Sequence, residues 1–146
     1  KIIIFLFLFI LIGCQSEYKK YLYDGDIKCP KISSPKGADE LILKTENNIE
    51  VYTGLRGVNK KCYLDDNIIK VELDITVRVI RKVSSPEDEL SFKLILKSID
   101  VDNNKFDSDY EELSIFLKEG NNVVEVENSL SVNSVINGEV LIGLTK

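Results

Sequence analysis

The chain has 146 residues, with 19 Lys and Arg against 24 Asp and Glu, a formal net charge of −5 and no His. An acidic chain without a basic run is poorly suited to nucleic acids, because their binding depends on neutralising phosphates. The lack of His removes Ser-His and Cys-His nucleophilic catalysis and the usual zinc sites. We therefore expect no enzyme activity, no metal site, no cofactor and no nucleic-acid partner.

The first element is an unbroken apolar run. Residues 2–12 are all apolar, Lys1 precedes them and the small residue Gly13 follows. A membrane-spanning helix needs about 20 apolar residues, so this run is too short to span. A positive residue, a short apolar core and a small exit residue are typical of a secretory signal peptide. We predict such a peptide over residues 1–13; the alternative is a buried strand or helix.

The end of this run, Leu11-Ile12-Gly13-Cys14, resembles the lipobox of bacterial lipoproteins. The resemblance implies diacylglyceryl transfer to the Cys14 thiol, cleavage after Gly13 and acylation of the new amino terminus, with chains such as palmitate. Two or more acyl chains anchor a protein stably, whereas one binds only marginally. An Asp directly after the lipidated Cys would resemble the inner-membrane retention signal of enteric bacteria, but Gln15-Ser16 stand there instead. The implied location is the cell envelope, facing the periplasm, with the outer membrane favoured over the inner.

Residues 14–28 are predicted to be a lipidated tether. At full extension it would reach at most roughly 50 Å from the membrane. Its three tyrosines, Tyr18, Tyr21 and Tyr23, would suit lipid headgroups, because amphipathic rings are stable there. They would equally pack on the domain or on a partner, or belong to a plain linker.

Two cysteines remain, Cys29 and Cys62. An even pair in an exported, oxidising compartment predicts a disulfide, and the lack of Cys-x-x-Cys argues for a structural one. The loop of about 33 residues would give roughly 3.5–4 kcal/mol by the chain-entropy relation. Two unpaired thiols are the alternative.

Residues 29–146 are predicted to form one β-rich domain. It begins with "CPKISSPKG", whose prolines and glycine predict irregular, extended structure over residues 29–37. Residues 38–43 follow as a short strand or half-turn. Pro30 and Pro35 would either mark an edge that binds a partner segment or guard an edge against pairing.

The clearest pattern lies in "NIIKVELDITVRVIRK", where apolar and polar residues alternate. Period two with β-branched residues predicts a half-buried strand. The inward residues are predicted to be Ile69, Val71, Leu73, Ile75, Val77 and Val79. The preceding "IEVYTGLRGVNKKCYL" also predicts a strand, with a bulge or close backbone approach at Gly54 and Gly57, and "LDDN" predicts the hairpin turn between the two.

Four further strands are predicted from "LSFKLILKSIDV", "YEELSIFLK", "NVVEVEN" and "GEVLIGLTK". The first of these places four residues on one face, Leu90, Phe92, Leu94 and Leu96. About seven strands with one polar face each, and no amphipathic helix, predict an all-β fold of antiparallel sheets packed on each other. An immunoglobulin-like β-sandwich fits best, with a small barrel as the alternative.

One segment suits a cation by its spacing. In "DVDNNKFDSDYE" five residues match positions of a calcium-loop template: Asp100, Asp102, Asn104, Ser108 and Glu111. Lys105 stands where the template requires Gly, and both neighbouring segments are predicted strands. We therefore predict a hairpin turn here and assign no metal site, with a weak hard-cation site as the alternative.

The order "CPKIS", "CYLDDNIIKVELDITVRVIR" and "VLIGL" resembles a group of small uncharacterised envelope lipoproteins of alphaproteobacteria. The resemblance implies a disulfide-bearing envelope domain. We expect a lipid-anchored protein whose non-catalytic domain binds or scaffolds a periplasmic or outer-membrane component. The alternatives are a solute-binding or sensing lipoprotein with a small-ligand pocket and, last, a small carboxylate hydrolase.

Overall fold

The computed structural model describes residues 28–83 and 86–146. The predicted signal peptide 1–13, the lipid site Cys14 and the tether up to residue 27 lie outside the described residues. Within the described ranges, no helix has the length and apolarity that crossing a bilayer requires.

The described residues form two stacked β-sheets of four strands each. The eight strands are β1 Lys31–Ser33, β2 Glu40–Lys44, β3 Glu50–Asp65, β4 Ile68–Arg81, β5 Asp88–Ile99, β6 Lys105–Leu117, β7 Val123–Val135 and β8 Glu139–Thr145. One sheet has the order β2-β3-β4-β7 and the other β1-β8-β5-β6. The predicted all-β sandwich is confirmed.

The alternating pattern places the core as predicted. All six inward residues of β4 from Ile69 to Val79 are at most 1 % exposed. Leu90, Phe92, Leu94 and Leu96 of β5 are buried opposite them. Each strand therefore gives one face to a common core, because successive side chains of a strand point to opposite sides.

The start of the domain differs from the prediction. Residues 31–33, expected to be irregular, form β1 and pair with β8 in parallel. The chain then turns, with the Ala38 N–H donating to Pro35 O at 2.9 Å, and crosses to the other sheet, where β2 pairs with β3. The sandwich thus has an eighth strand and one parallel pair. β2, β3 and β4 lie side by side, whereas neither immunoglobulin sheet has three consecutive strands as neighbours, so the likeness to that domain lies in the stacked sheets.

Two ends of the sandwich can be distinguished. At one end, which we call the tether end because the predicted tether precedes Lys28, β3 and β4 are joined by Asp66-Asn67 with φ of 51° and 99°. Two successive positive φ values are the geometry of the tight hairpin turn predicted from "LDDN". At the far end lie the β2–β3 loop, residues 45–49, and the β6–β7 loop, residues 118–122.

Cys29 and Cys62 meet at the tether end. Their sulfur atoms are at bonding distance and their Cα atoms are 5.9 Å apart. Cys29 precedes β1 of one sheet and Cys62 belongs to β3 of the other, so the pair connects the two sheets. The predicted pairing is therefore matched by the geometry.

Candidate binding face

A row of apolar side chains crosses the solvent-facing side of the β2-β3-β4-β7 sheet. Register places Ile42 beside Tyr52, Tyr52 beside Ile80, and Ile80 beside Val123. Ile42 is 54 % exposed and Val123 is 48 % exposed. We call these four residues the distal row, because they lie near the far end of the sandwich. The sheet thereby presents a continuous apolar stripe to solvent across all four of its strands.

The next row toward the tether end is charged and contains a gap. Glu40, Gly54, Arg78 and Glu125 follow one another across the four strands. Gly54 has no side chain, so a groove of about 490 Å³ opens beside Ile42 and Tyr52. Ion pairs flank the groove, Arg78 to Glu125 at 2.7 Å and Arg56 to Glu40 at 3.6 Å. The groove therefore has apolar side chains on one side and charged side chains on the other.

Lys82 borders the other side of the distal row. Its Nζ lies 4.6 Å from the centre of the Tyr52 ring, within the range of a cation–π contact. Hydrogen bonding to the Tyr52 side chain raises the pKa of Lys82 above its usual value. The ammonium therefore stays charged beside the aromatic ring.

A second depression lies on the same face, nearer the tether end. It has a volume of about 610 Å³, and its polar lining includes Asn59, Asp74, Thr76, Glu111, Glu127 and Ser129. The Asp74 carboxylate accepts hydrogen bonds from Ser129 Oγ at 2.7 Å and from Lys61 Nζ at 3.3 Å. The bond from Ser129, followed by that from Lys61, holds the pKa of Asp74 below its usual value. Asp74 is therefore ionised and already engaged.

The lowered pKa of Asp74 makes this carboxyl group unsuited to general acid catalysis. A carboxylic acid that protonates a leaving group needs a raised pKa, as in glycoside hydrolysis. Asp74, the hydrogen-bonded carboxylate of the 610 Å³ depression, has a lowered pKa instead. Its chemistry suits accepting hydrogen bonds or attracting a cation.

The segment considered for calcium is a turn that continues into a strand. Asp100 Oδ1 accepts hydrogen bonds from the N–H groups of Asp102 at 2.9 Å and of Asn104 at 2.8 Å. The bond from the Asn104 N–H outweighs burial and lowers the pKa of Asp100. Ser108 and Glu111 lie farther along β6. Within residues 28–83 and 86–146, no group of three His, Cys, Asp or Glu side chains is placed to hold a metal.

Two further acidic residues of the same segment, Asp107 and Asp109, have a role that the sequence pattern did not indicate. β6 and β7 are edge strands of different sheets, and Asp107 and Asp109 of β6 reach across to β7. Asp107 accepts a hydrogen bond from the Asn133 N–H at 2.8 Å, and Asp109 from the Ser131 N–H at 3.1 Å. Side-chain carboxylates thus satisfy the backbone donors of an exposed edge, and they close one side of the sandwich.

Pro30 and Pro35, predicted to lie at an edge, have separate surroundings. Pro30 is buried beside Cys29, and Pro35 is exposed in the turn that leads from β1 to β2. Neither belongs to the distal row. The distal row itself was not predicted, because its members come from four strands and only register brings them together.

Comparisons with known proteins identify no relative. Neither the protein-family profiles, nor the curated proteins, nor the solved structures contain a match to this chain. What the face binds is therefore argued from its own residues.

Proposed function

We propose that this chain is a lipid-anchored protein of the bacterial cell envelope whose sandwich binds another envelope protein through the distal row. The lipid on Cys14 attaches it to a membrane, with the outer membrane favoured over the inner, and the domain faces the periplasm. The observation that carries the proposal is the apolar stripe across all four strands of one sheet. The domain's role is binding, without catalysis.

The composition of the stripe supports a protein partner. Contiguous apolar groups on a soluble surface, rimmed by charge, are typical of interaction sites. Tyrosine is enriched among the residues that dominate interface energies, and Tyr52 lies in the middle of the row. The charged rim formed by Arg78 with Glu125 and by Arg56 with Glu40 would add orientation more than affinity.

The position of the row supports a partner away from the anchoring membrane. Ile80 and Val71 both belong to β4, and Val71 is the register partner of Cys62. At about 3.3 Å per residue, the distal row lies roughly 30 Å along the strand from the level of the disulfide. The proposed tether ends at residue 28, next to Cys29 of the disulfide, so the row lies at the opposite end of the sandwich from the proposed point of attachment.

Site-specific photo-crosslinking in intact cells tests this proposal. A benzophenone amino acid placed at Tyr52 is expected to give one discrete adduct with an envelope protein. The matched control is the same substitution at Tyr110, which is 66 % exposed on the other sheet and is expected to give none. An added Ile42→Asp change is expected to abolish the Tyr52 adduct. Equal adducts at both positions, or none at Tyr52 in a folded, membrane-attached chain, would contradict the proposal.

The anchor has its own test. Cys14→Ser is expected to release the chain from membranes on fractionation, and mass analysis of the wild-type chain is expected to show acyl chains on residue 14. Cys14 is not part of the Cys29–Cys62 pair, so the released chain is expected to retain its fold. Continued sedimentation of Cys14→Ser with membranes would show another attachment.

A second candidate function rests on the 610 Å³ polar depression around Asp74. Its size is within the range of small-molecule sites, and its carboxylates would select a cationic solute. Titration with putrescine and with arginine, followed by the midpoint of thermal unfolding, tests this function. A concentration-dependent rise that Asp74→Asn removes would support it, and no shift at millimolar ligand would dismiss these ligands.

A further inference from the structure

The longest strand of the domain is paired on only one side along much of its length. β3 runs from Glu50 to Asp65, and β2 covers only its residues 50–54. From residue 55 onward, β3 pairs with β4 alone. Within the described ranges, no strand lies on its other side, so this part of β3 is a sheet edge.

The chain itself limits this edge at both ends. At the upper limit the Leu55 N–H donates to Asp39 O at 2.9 Å, and at the lower limit Cys62 meets Cys29. The residues between Cys29 and Asp39 leave the sheet, because β1 pairs with β8 of the other sheet. Residues 56–61 therefore form an open edge about 20 Å long, at 3.3 Å per residue. We call this segment the open edge.

The open edge offers backbone groups for pairing. The register with β4 beyond the bulge at residues 55–57 directs the N–H and C=O groups of Val58 and Lys60 away from β4, since these groups alternate along an antiparallel strand. Val58 is also 38 % exposed, which adds an apolar contact. By contrast, β7 has its outward donors at Ser131 and Asn133 bound by carboxylates of β6. The open edge has no such cover among the described residues.

The charged side chains of the open edge are all positive, although the chain as a whole has a net charge of −5. Arg56, Lys60 and Lys61 are exposed, and no acidic residue lies between them. Arg56 and Lys61 each have an ion-pair partner, at 3.6 Å and 3.3 Å. Lys60 forms no ion pair with any residue of 28–83 or 86–146. A second copy pairing antiparallel at this edge would set like charges opposite one another, which is destabilising.

We propose that the open edge of β3 binds an extended acidic segment of a partner protein, which adds to the sheet as a strand beside residues 56–61. Main-chain hydrogen bonds from Val58 and Lys60 give affinity, as in other cases of strand addition. The cationic side chains select acidic over basic segments. Arg56 also lies in the rim of the distal row, but Val58 and Lys60, which carry this proposal, lie outside that row, so the proposal does not depend on it.

Peptide binding to the full chain in detergent micelles tests the proposal by fluorescence anisotropy. The probe is a labelled hexapeptide of alternating Glu and Val; a Lys-Val hexapeptide and a backbone N-methylated Glu-Val hexapeptide are controls. We expect the Glu-Val probe to bind at least about tenfold more tightly than either control, equivalent to about 1.4 kcal/mol. Raising the salt concentration should weaken it, because the charges are exposed.

Variants of the protein assign the site. Lys60→Glu is expected to weaken the Glu-Val probe about tenfold, whereas the control Lys97→Glu on the other sheet should leave binding unchanged. Val58→Pro removes an edge N–H and is expected to abolish binding, whereas Val58→Ala retains it. If Val58→Pro does not fold, the N-methylated peptide decides the same point. Equal binding of the Glu-Val and Lys-Val peptides, equal binding of the N-methylated peptide, or no binding at millimolar concentration would overturn the proposal and leave Lys60 as a guard against pairing.

Discussion

Replacing Arg81 with methionine is expected to loosen the far end of the sandwich. Arg81 ends β4 at an inward position and is 1 % exposed. Its guanidinium donates to three backbone carbonyls, Pro86 O at 2.8 Å, Lys118 O at 3.0 Å and Asn121 O at 3.0 Å. One side chain therefore holds the β4–β5 and β6–β7 connections together. Methionine keeps most of the apolar volume but none of the donors.

The magnitude follows from two opposing effects. A hydrogen bond to a charged group contributes roughly 1.5–3 kcal/mol, so three of them contribute about 5–9 kcal/mol. Removing the guanidinium from water costs several kcal/mol, and this cost disappears with the charge. Pro86, Lys118 and Asn121 are exposed residues, so water can reach their carbonyls again. We expect Arg81→Met to lower the free energy of unfolding by about 2–4 kcal/mol.

Urea unfolding followed by far-ultraviolet circular dichroism and Tyr fluorescence measures this loss, since the chain has six Tyr and no Trp. The matched control is Arg78→Met, on the same strand but on the solvent side, where the exposed ion pair with Glu125 contributes at most about 1 kcal/mol. Amide exchange should quicken in the β6–β7 loop of Arg81→Met only. If Arg81→Met is as stable as the wild type, or no less stable than Arg78→Met, this account of Arg81 is wrong.

Three other sets of substitutions probe different parts of the fold. Replacing both Cys29 and Cys62 with Ser should lower the free energy of unfolding by roughly 3.5–4 kcal/mol in urea titration, for a sequence separation of 33 residues; an unchanged midpoint would show that the bond does not form. Burial raises the pKa of Asp88, but hydrogen bonds led by that from Thr45 outweigh burial and leave the pKa lowered. The ionised carboxylate therefore stabilises the fold at pH values above its unfolded pKa of about 3.9. This stabilisation is lost as the pH falls through the lower pKa of the folded state. Asp88→Asn should therefore be less stable than wild type at pH 7 and approach it in acid; a difference independent of pH would refute this. A Cβ on Gly138 would lie 2.7 Å from Ile99 O, so Gly138→Ala should cost about 1–3 kcal/mol, whereas Gly57→Ala, with 3.4 Å to its nearest atom, should change the midpoint little.

The two proposed interaction sites use different physical features of the same sheet. The distal row buries apolar side chains on the sheet face, and the open edge pairs backbone groups at the sheet margin. Tyr52 variants should therefore leave binding of the acidic peptide unchanged, and Lys60→Glu should leave the crosslink from position 52 unchanged. Each proposal can consequently fail without the other.

Properties that depend on local pattern followed from the sequence. The alternation from Ile69 to Val79 determined which side of β4 faces the core, because side chains of a strand alternate whatever the strand pairs with. The Asp66-Asn67 turn followed from residues that tolerate a positive φ, and the bulge between Leu55 and Gly57 followed from a glycine that interrupts the strand pattern. The Cys29–Cys62 pairing was expected because only two cysteines remain after Cys14.

The features that define the candidate sites were decided by tertiary structure. β1 is recognisable as a strand only through its pairing with β8 at the other end of the chain. The role of Arg81 depends on carbonyls of two loops. Asp107 belongs to a turn-like segment in the sequence, and only the position of β7 beside β6 gives its carboxylate a hydrogen-bond donor. The distal row and the open edge likewise exist only once register sets which residues are neighbours across strands. Sequence specifies what each strand can present, whereas the pairing of distant strands decides which of those groups meet and which are left for a partner.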